Sequence, residues 1–177
     1  MGKKQWTRLL IFLSICVFLP FKGWAQETNY KSQSLYIYKF CRYISWPEST
    51  SENDFVISVY GNSAIFEELK IMASLKKAAN GRNIVIKRLD RLSDIGNEQM
   101  LYLSSSRSRE LRSVQEAVGD RPILVITERD GLARKGAAIN FMIMENETLK
   151  FEVNKAVLRA RQLEIAPELL RMGFEVG

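Results

Sequence analysis

Hydrophobic residues recur along the chain in two spacings, one typical of strands and one typical of helices. Short apolar runs rich in β-branched residues predict strands at 55–60, 83–89, 100–103 and 122–127. Between them, helical spacing predicts a helix over 64–78 whose buried face carries Ile65, Leu69, Met72 and Leu75. A second helix is predicted after Ser104–Ser106 and carries Leu111, Val114 and Val118. Strands that alternate with helices favour an open, three-layer α/β fold with a mostly parallel sheet and helices on both faces.

The segment 137–172 has a different pattern, in which two apolar strands flank a polar turn at 145–148. Alternate positions of the two strands are apolar, namely Ile139, Phe141, Ile143, Leu149, Phe151 and Val153. A helix with Ala156, Val157, Ala160 and Leu163 at helical spacing follows, and a second short helix comes after it. We expect this β-hairpin to extend the parallel sheet in the antiparallel sense.

Upstream of the first strand, residues 35–46 combine helical spacing with many aromatic side chains, and Pro47 ends the segment. Packing of this aromatic helix on the sheet is the simpler interpretation, because tyrosines are often half-buried with a wet hydroxyl. A surface for a protein partner is the alternative. The candidate partner-binding residues are Tyr36, Tyr38, Phe40, Tyr43 and Trp46, with Phe141 from the hairpin.

The first 25 residues have the three parts of an export signal: a basic start, an apolar run from Leu9 to Leu19, and small residues before Gln26. Cleavage is predicted after Ala25. An uncleaved anchor is disfavoured because the run is short and Pro20 ends it. A lipoprotein is disfavoured because bulky Ile15 precedes Cys16. The predicted organisation is a signal peptide over 1–25, a polar lead over 26–34 and a single domain over 35–177.

Removing this segment also changes the charge and the cysteine count. The formal charge of +6 includes four basic residues and no acidic ones from the first 25, so the remainder has 22 basic and 20 acidic residues. The basic composition therefore gives no indication of nucleic-acid binding. Cys41 would be the single remaining cysteine, which excludes an intramolecular disulfide, and its apolar neighbours predict a small core side chain.

In a parallel sheet, ligands bind beyond the carboxyl ends of the strands, where three polar loops should meet. The candidate ligand-binding residues are Asn62, Ser63, Ser104, Ser105, Ser106, Arg107 and Glu128. The serine loop suits an anion, since hydroxyls, amides at a helix start, Arg107 and Arg109 would converge there. The alternative interpretation is that these serines only cap the helix. The loop at Gly61 lacks the spaced glycines of a dinucleotide site.

The sequence favours no catalytic centre, no metal site and no cofactor. It contains no histidine, the commonest general base and zinc ligand. The carboxylate pair Glu67/Glu68 on a helix and the pair Glu145/Glu147 in the hairpin turn are typical of solvated surface. The pair Glu128/Asp130 could hold a hard cation loosely. We therefore expect a protein that is not an enzyme.

Several short motifs follow one another along the chain: the aromatic run Tyr36–Phe40 with Trp46-Pro47, the strand 56–61 ending in glycine, Gly81-Arg82, Ala138–Phe141 and Phe151–Asn154, followed by Ala160 and Leu169-Leu170. Their order and spacing across the mature chain resemble those of the YfiR-like family, also typified by HmsC. The chain departs from the family pattern at two places. Glu98-Gln99 stands where relatives often have Cys-His, which argues against disulfide-based redox control. Ala166-Pro167 stands where relatives tend to have capping serines, and proline suits a first helical position.

The resemblance implies a soluble periplasmic regulator, often a homodimer, that binds the outward-facing part of a membrane signalling protein and represses its output. In the best-known relatives that output is a diguanylate cyclase, so release of repression raises cyclic di-GMP and promotes biofilm. A sensor histidine kinase is the other partner that the resemblance suggests. The competing hypothesis is a periplasmic small-molecule carrier or receptor. An exposed apolar patch would favour the regulator, and a deep pocket with convergent polar groups would favour the carrier.

Overall fold

The computed structural model describes residues 22–47 and 54–177. Most of the predicted export signal lies outside these residues, so the signal and its cleavage after Ala25 stay predictions. Within the described part of the chain, no helix combines the length and the apolar character that a membrane span requires.

Seven strands form one sheet in the order β3-β2-β4-β5-β6-β7-β9, and a short ribbon pairs β1 with β8. The strands are β1 (Ile44–Ser45), β2 (Phe55–Tyr60), β3 (Ile84–Leu89), β4 (Met100–Leu103), β5 (Leu124–Thr127), β6 (Ile139–Ile143), β7 (Leu149–Asn154), β8 (Glu164–Ile165) and β9 (Phe174–Val176). Neighbours in the seven-stranded sheet are parallel except β6 and β7, which form the antiparallel hairpin. The mostly parallel α/β fold predicted from the sequence is therefore confirmed.

Five α-helices connect and cover these strands in the described residues. They are α1 (Lys22–Tyr43), α2 (Ile65–Leu75), α3 (Leu111–Val118), α4 (Lys155–Ala160) and α5 (Pro167–Leu170). Short 3₁₀ turns occur at Ala79–Gly81, Leu92–Asp94 and Ser105–Glu110. Pro167 occupies the start of α5, as the sequence predicted, because its fixed φ and missing N–H suit the first turn of a helix.

The core has two halves, one on each face of the sheet, and strand β4 shows why. Met100 and Tyr102 face the half that α1, α2 and the C-terminal helices cover, whereas Leu101 and Leu103 face the half that α3 covers. Successive side chains of a strand point to opposite faces, so a strand covered on both sides is apolar at every position. All four residues of β4 are accordingly buried.

Helix α1 differs from its predicted bounds at both ends. It begins at Lys22 rather than near Leu35, so the segment 26–34 predicted as a polar lead lies in a helix. It ends at Tyr43 rather than near Trp46, because Ile44 and Ser45 leave the helix and pair antiparallel with β8. Backbone pairing with a distant strand therefore ends this helix before Pro47 does.

Four residues assigned to apolar faces from the sequence are exposed instead. Two of them, Ala156 and Ala160, are on α4, which buries Leu158 in their place. Leu75 is 74% exposed because α2 ends there: Lys76 is extended, and Lys77 forms a β-bridge with Asn83. Ile143 is 58% exposed because it lies at the tip of the hairpin, beyond the helices that cover Phe141. Leu163 lies beyond the end of α4 rather than within it, yet it is buried as its apolar character predicted.

Candidate functional sites

The three polar loops at the carboxyl ends of the strands meet in part, as the topology predicted. The amide of Ser105 donates to Oε1 of Glu128 at 2.9 Å, and the hydroxyls of Ser104 and Ser106 are 2.8 Å apart. Gly61 lies so close to this serine loop that a Cβ atom there would collide with Ser104. Carboxyl ends of parallel strands therefore do bring these segments together.

Asn62 and Ser63, the other two residues of the Gly61 loop, have a different position. The hydroxyl of Ser63 accepts a long hydrogen bond from the Ile65 amide at 3.4 Å, next to the start of α2. Asn62 is exposed. Neither residue makes a hydrogen bond to the serine loop within the described part of the chain. Ser63 is thus a local turn residue.

Carboxylates of the chain itself occupy the donors of the serine loop. The guanidinium of Arg107 donates to Oε1 of Glu110 at 2.8 Å, and the hydroxyl of Tyr60 donates to Oε2 of the same carboxylate at 2.6 Å. These two bonds, the Tyr60 bond first, hold the pKa of Glu110 below its usual value, and the pKa of Tyr60 is raised in return. With Glu128 on the Ser105 amide, the loop's best anion donors are already used by internal carboxylates.

A cavity of about 410 Å³ lies beside this loop, between the start of α3 and the segment that follows β5. Four basic side chains line it, from Arg109, Arg112, Arg129 and Lys135, against one carboxylate, that of Asp130. Leu111 and Leu132 contribute apolar walls. Arg109 therefore lines this cavity, while Arg107 binds Glu110, and the expected convergence of the two arginines on one spot is wrong.

Sequence reasoning missed this cavity because its charges come from separate segments. Arg109 and Arg112 are three residues apart at the start of α3, and Arg129 and Lys135 follow β5. Strands β4 and β5 are neighbours, so both segments lie at the same edge of the sheet. The one indication in the sequence of a basic site was the presence of basic residues after both of these neighbouring strands.

The aromatic candidates for partner binding fall into a buried group and an accessible group. Phe40 and Phe141 are fully buried, with ring centroids 5.9 Å apart and nearly parallel planes. Tyr36 is half-buried and packs edge-on against Phe151 at 5.3 Å. Burial removes Phe40 and Phe141 from the surface, because the apolar helix face and the hairpin cover one another.

Two contacts hold the Trp46 side chain in place. Its indole Nε1 donates to the carbonyl of Gln99 at 3.2 Å, and its ring meets Phe55 edge-on at 5.0 Å. Tyr38 is half-buried beneath the ammonium of Lys76, which lies 5.7 Å from the ring centroid. Tyr43 is exposed. The accessible aromatic candidates on α1 are therefore chiefly Tyr38 and Tyr43.

Large apolar side chains on the outer faces of α1 and α2 extend this accessible group. Leu35 and Tyr43 are exposed on α1, and Ile71 and Leu75 are exposed on α2. The two helices are in contact, and the segment just after α2 also meets α1: Lys76 covers Tyr38, and Arg42 donates to the carbonyl of Ala78 at 3.4 Å. We refer to Leu35, Tyr38, Tyr43, Ile71 and Leu75 together as the α1–α2 surface.

The metal-ligating and thiol side chains of the described residues are dispersed or buried. The described residues contain no group of three His, Cys, Asp or Glu side chains placed to hold a metal ion. Glu128 and Asp130 diverge, since Glu128 accepts from Ser105 while Asp130 lines the cavity. Cys41 is a small buried core residue, as predicted, and burial raises its pKa far above the ordinary value for a thiol.

Asn140 and Asn154, from the motifs Ala138–Phe141 and Phe151–Asn154, connect the hairpin to neighbouring elements by hydrogen bonds. Asn140 accepts from the Thr127 hydroxyl at 2.7 Å and donates to Glu152 at 2.9 Å, which links β5, β6 and β7. Asn154 accepts from the Val157 amide at 3.1 Å and so caps α4, and it donates to the carbonyl of Ala133. These motif residues position backbone rather than a ligand.

The fold and the sites together define an α/β domain with an apolar helix surface and a separate basic cavity. Comparison with protein families gives a match to the YfiR/HmsC-like family over residues 30–173. Because this range covers most of the chain, the protein belongs to the YfiR/HmsC-like family. Comparison with curated proteins finds no match.

Proposed function

We propose that this protein is a periplasmic regulator that binds a membrane-bound signalling protein through the α1–α2 surface and represses or modulates its output. Membership of the YfiR/HmsC-like family supports the regulatory role. The partner is a diguanylate cyclase or a sensor histidine kinase, and the protein acts as a homodimer. The export signal predicted over residues 1–25 supports the periplasmic location.

The observation that carries the proposal is the exposure of large apolar side chains on two helices in contact. Leu35 is 54% exposed and Ile71 is 56% exposed, although each could have been a polar residue at no cost to the core. Large exposed apolar side chains grouped on neighbouring helices are typical of surfaces that bind another protein. Arg42 on α1 and Lys76 just after α2 lie beside them, so an acidic rim on the partner would complement this surface.

A regulator of this kind works by differential affinity. It shifts its partner toward the inactive state only if it binds that state more tightly than the active state. A surface of exposed apolar and basic side chains suits such a role, because a small rearrangement of the partner uncovers or withdraws the complementary patch. Release of the regulator then restores the partner's output.

The test is crosslinking in intact cells of the source organism, followed by purification of the tagged protein and mass spectrometry of inner-membrane proteins. Recovery of a diguanylate cyclase or sensor kinase is expected with the unaltered protein and is expected to be lost with Leu35→Ser. Ile143→Ser is the matched control, since Ile143 is similarly exposed, at 58%, but lies on the hairpin. Trp46→Ala is unsuitable because it breaks contacts with Gln99 and Phe55.

Two outcomes would contradict the proposal in different ways. If no signalling protein of the inner membrane is recovered, the regulatory role is wrong. If the partner is lost with Ile143→Ser and retained with Leu35→Ser, the role stands but the surface lies on the hairpin. Circular dichroism of both variants should show the unaltered fold, because neither side chain is part of the core.

A further inference from the structure

The cavity beside α3 carries a strong excess of positive charge. Arg109, Arg112, Arg129 and Lys135 line it, and Asp130 is its one acidic lining residue. Arg112 is paired with Glu116 at 3.1 Å, but that pair is largely exposed and contributes little neutralisation. No carboxylate in the described ranges lies within ion-pair distance of Arg109, Arg129 or Lys135.

Hydrogen bonds from neighbouring elements hold the guanidinium of Arg129 and the backbone of Lys135 in place. The guanidinium of Arg129 donates to the buried hydroxyl of Ser108 at 2.9 Å, and the Arg129 amide donates to Asn140 at 3.2 Å. The backbone at Lys135 is fixed to α3, since Gln115 donates to its carbonyl at 3.0 Å. A cation positioned beforehand, as the Arg129 guanidinium is, loses less entropy when an anion binds.

The size and lining of the cavity restrict the ligand. A volume of about 410 Å³ falls within the range of small-molecule sites and below that needed for a folded segment. Arginine forks match the oxygens of phosphate, which carries close to two negative charges at neutral pH. The walls formed by Leu111 and Leu132 suit a small apolar or ring-shaped remainder.

We infer that this cavity is a binding site for a small phosphomonoester. The phosphate group binds between Arg109 and Arg129, and the organic part contacts Leu111 and Leu132. This inference is independent of the proposed regulatory role, because the cavity residues are distinct from those of the α1–α2 surface.

Calorimetric titration of the purified chain with phenyl phosphate at low ionic strength tests the inference. Saturable binding with a Kd on the order of 0.1 mM is expected, and Arg109→Gln should weaken it about tenfold, because one charge-assisted bond is lost. Arg134→Gln is the matched control, since Arg134 is exposed and does not line the cavity, and it should leave the Kd unchanged. Benzoate, with one negative charge, should bind more weakly than phenyl phosphate.

Each other outcome would overturn the inference. Absence of binding heat together with absence of amide chemical-shift changes at Arg109 and Arg129 would show that the cavity is no phosphate site. Equal loss with Arg109→Gln and Arg134→Gln would show attraction to overall charge only. Equal affinity for benzoate and phenyl phosphate would exclude selectivity for phosphate. Neither arginine variant should unfold, because both side chains are exposed.

Discussion

The hydroxyl of Tyr102 donates a 2.7 Å hydrogen bond to Oε1 of Gln33, and both side chains are buried between strand β4 and helix α1. Burial raises the pKa of Tyr102 well above its ordinary value, and the negative charge of Glu128 raises it further. The hydroxyl therefore stays protonated, and able to donate, at neutral pH. This polar contact joins the helix to the middle of the sheet, within the apolar packing of the core.

Tyr102→Phe should lower the free energy of unfolding by about 1–3 kcal/mol, because it leaves a buried acceptor on Gln33 without its donor. Urea denaturation followed by circular dichroism measures this difference. Tyr43→Phe removes a hydroxyl from an exposed ring and should change stability by less than about 0.5 kcal/mol.

Replacing both partners gives a sharper test of the same contact. Tyr102→Phe combined with Gln33→Leu should cost less than the two single changes added together, because no buried polar group is then left unpaired. Strict additivity in the double variant would show that the two side chains are not energetically coupled.

The same contact explains why the start of α1 could not be predicted. Periodicity placed the helix start near Leu35, because residues 26–34 have no apolar stripe. Gln33 and Ser34 are nevertheless buried, since Tyr102 donates to the first and the second bonds back to the carbonyl of Lys31 at 2.8 Å. A partner 69 residues away satisfies Gln33, and no local pattern indicates such a partner.

Prediction succeeded for the strands that carry a long apolar pattern and failed for the shortest ones. Strands β2 to β7 lie within two residues of their predicted bounds, because burial imposes an apolar pattern over four to six positions. Strands β1, β8 and β9 have two or three residues each, too few to show any period. Their existence depends on pairing that only the folded chain defines.

For the candidate sites, the sheet topology predicted which loops meet, but the sequence did not predict which side chains bond to one another. The rule for parallel sheets correctly brought the serine loop to Glu128. It could not show that Glu110 would take Arg107 and Tyr60, because that choice depends on side-chain directions in a 3₁₀ turn rather than an α-helix. The predicted roles of the loop residues in ligand binding remain untested predictions.

Cys41 should resist alkylation and disulfide exchange in the folded protein. Its side chain is fully buried, and its raised pKa leaves almost no thiolate at neutral pH. A variant carrying Cys16→Ser has Cys41 as its one thiol. Its reaction with a chromogenic disulfide should be slow in buffer, at the rate of unfolding, and rapid in denaturing urea. Rapid stoichiometric reaction in buffer would contradict burial of this thiol.

The pKa of Glu110 should be below the ordinary value and should depend on both Tyr60 and Arg107. In the unaltered protein, NMR titration of its carboxyl carbon is expected to give a midpoint below 4.5. Tyr60→Phe removes the largest single cause, and Arg107→Gln removes a second hydrogen bond and a positive charge, so each change should raise this midpoint. An unchanged midpoint in Tyr60→Phe would contradict the hydrogen bond between the two side chains.

The direction of this shift also determines its effect on stability. A folded-state pKa below the unfolded-state value means that Glu110 stabilises the fold above the unfolded pKa, and that this contribution is lost as pH falls through the folded pKa. Glu110→Gln should therefore make the decline of stability between neutral and acidic pH shallower. Urea denaturation at a series of pH values measures that slope.

Gly61 should be intolerant of any side chain, for two separable reasons. Its φ of +92° lies in a region that disfavours residues with a Cβ atom, and a Cβ there would collide with the side chains of Ser104 and Arg107. Gly81→Ala is the matched control, because Gly81 also has a positive φ, of +74°, but has no atom within 4 Å of the added carbon.

Gly81→Ala should therefore show the backbone cost alone, about 1 kcal/mol, and Gly61→Ala should cost more, because the serine loop must also move. Thermal and urea denaturation of the two variants gives the difference. Movement of the loop should also disturb the bond from the Ser105 amide to Glu128, which amide exchange at Ser105 would report. Equal costs for the two variants would mean that the Gly61 and serine loops are not in close contact in solution.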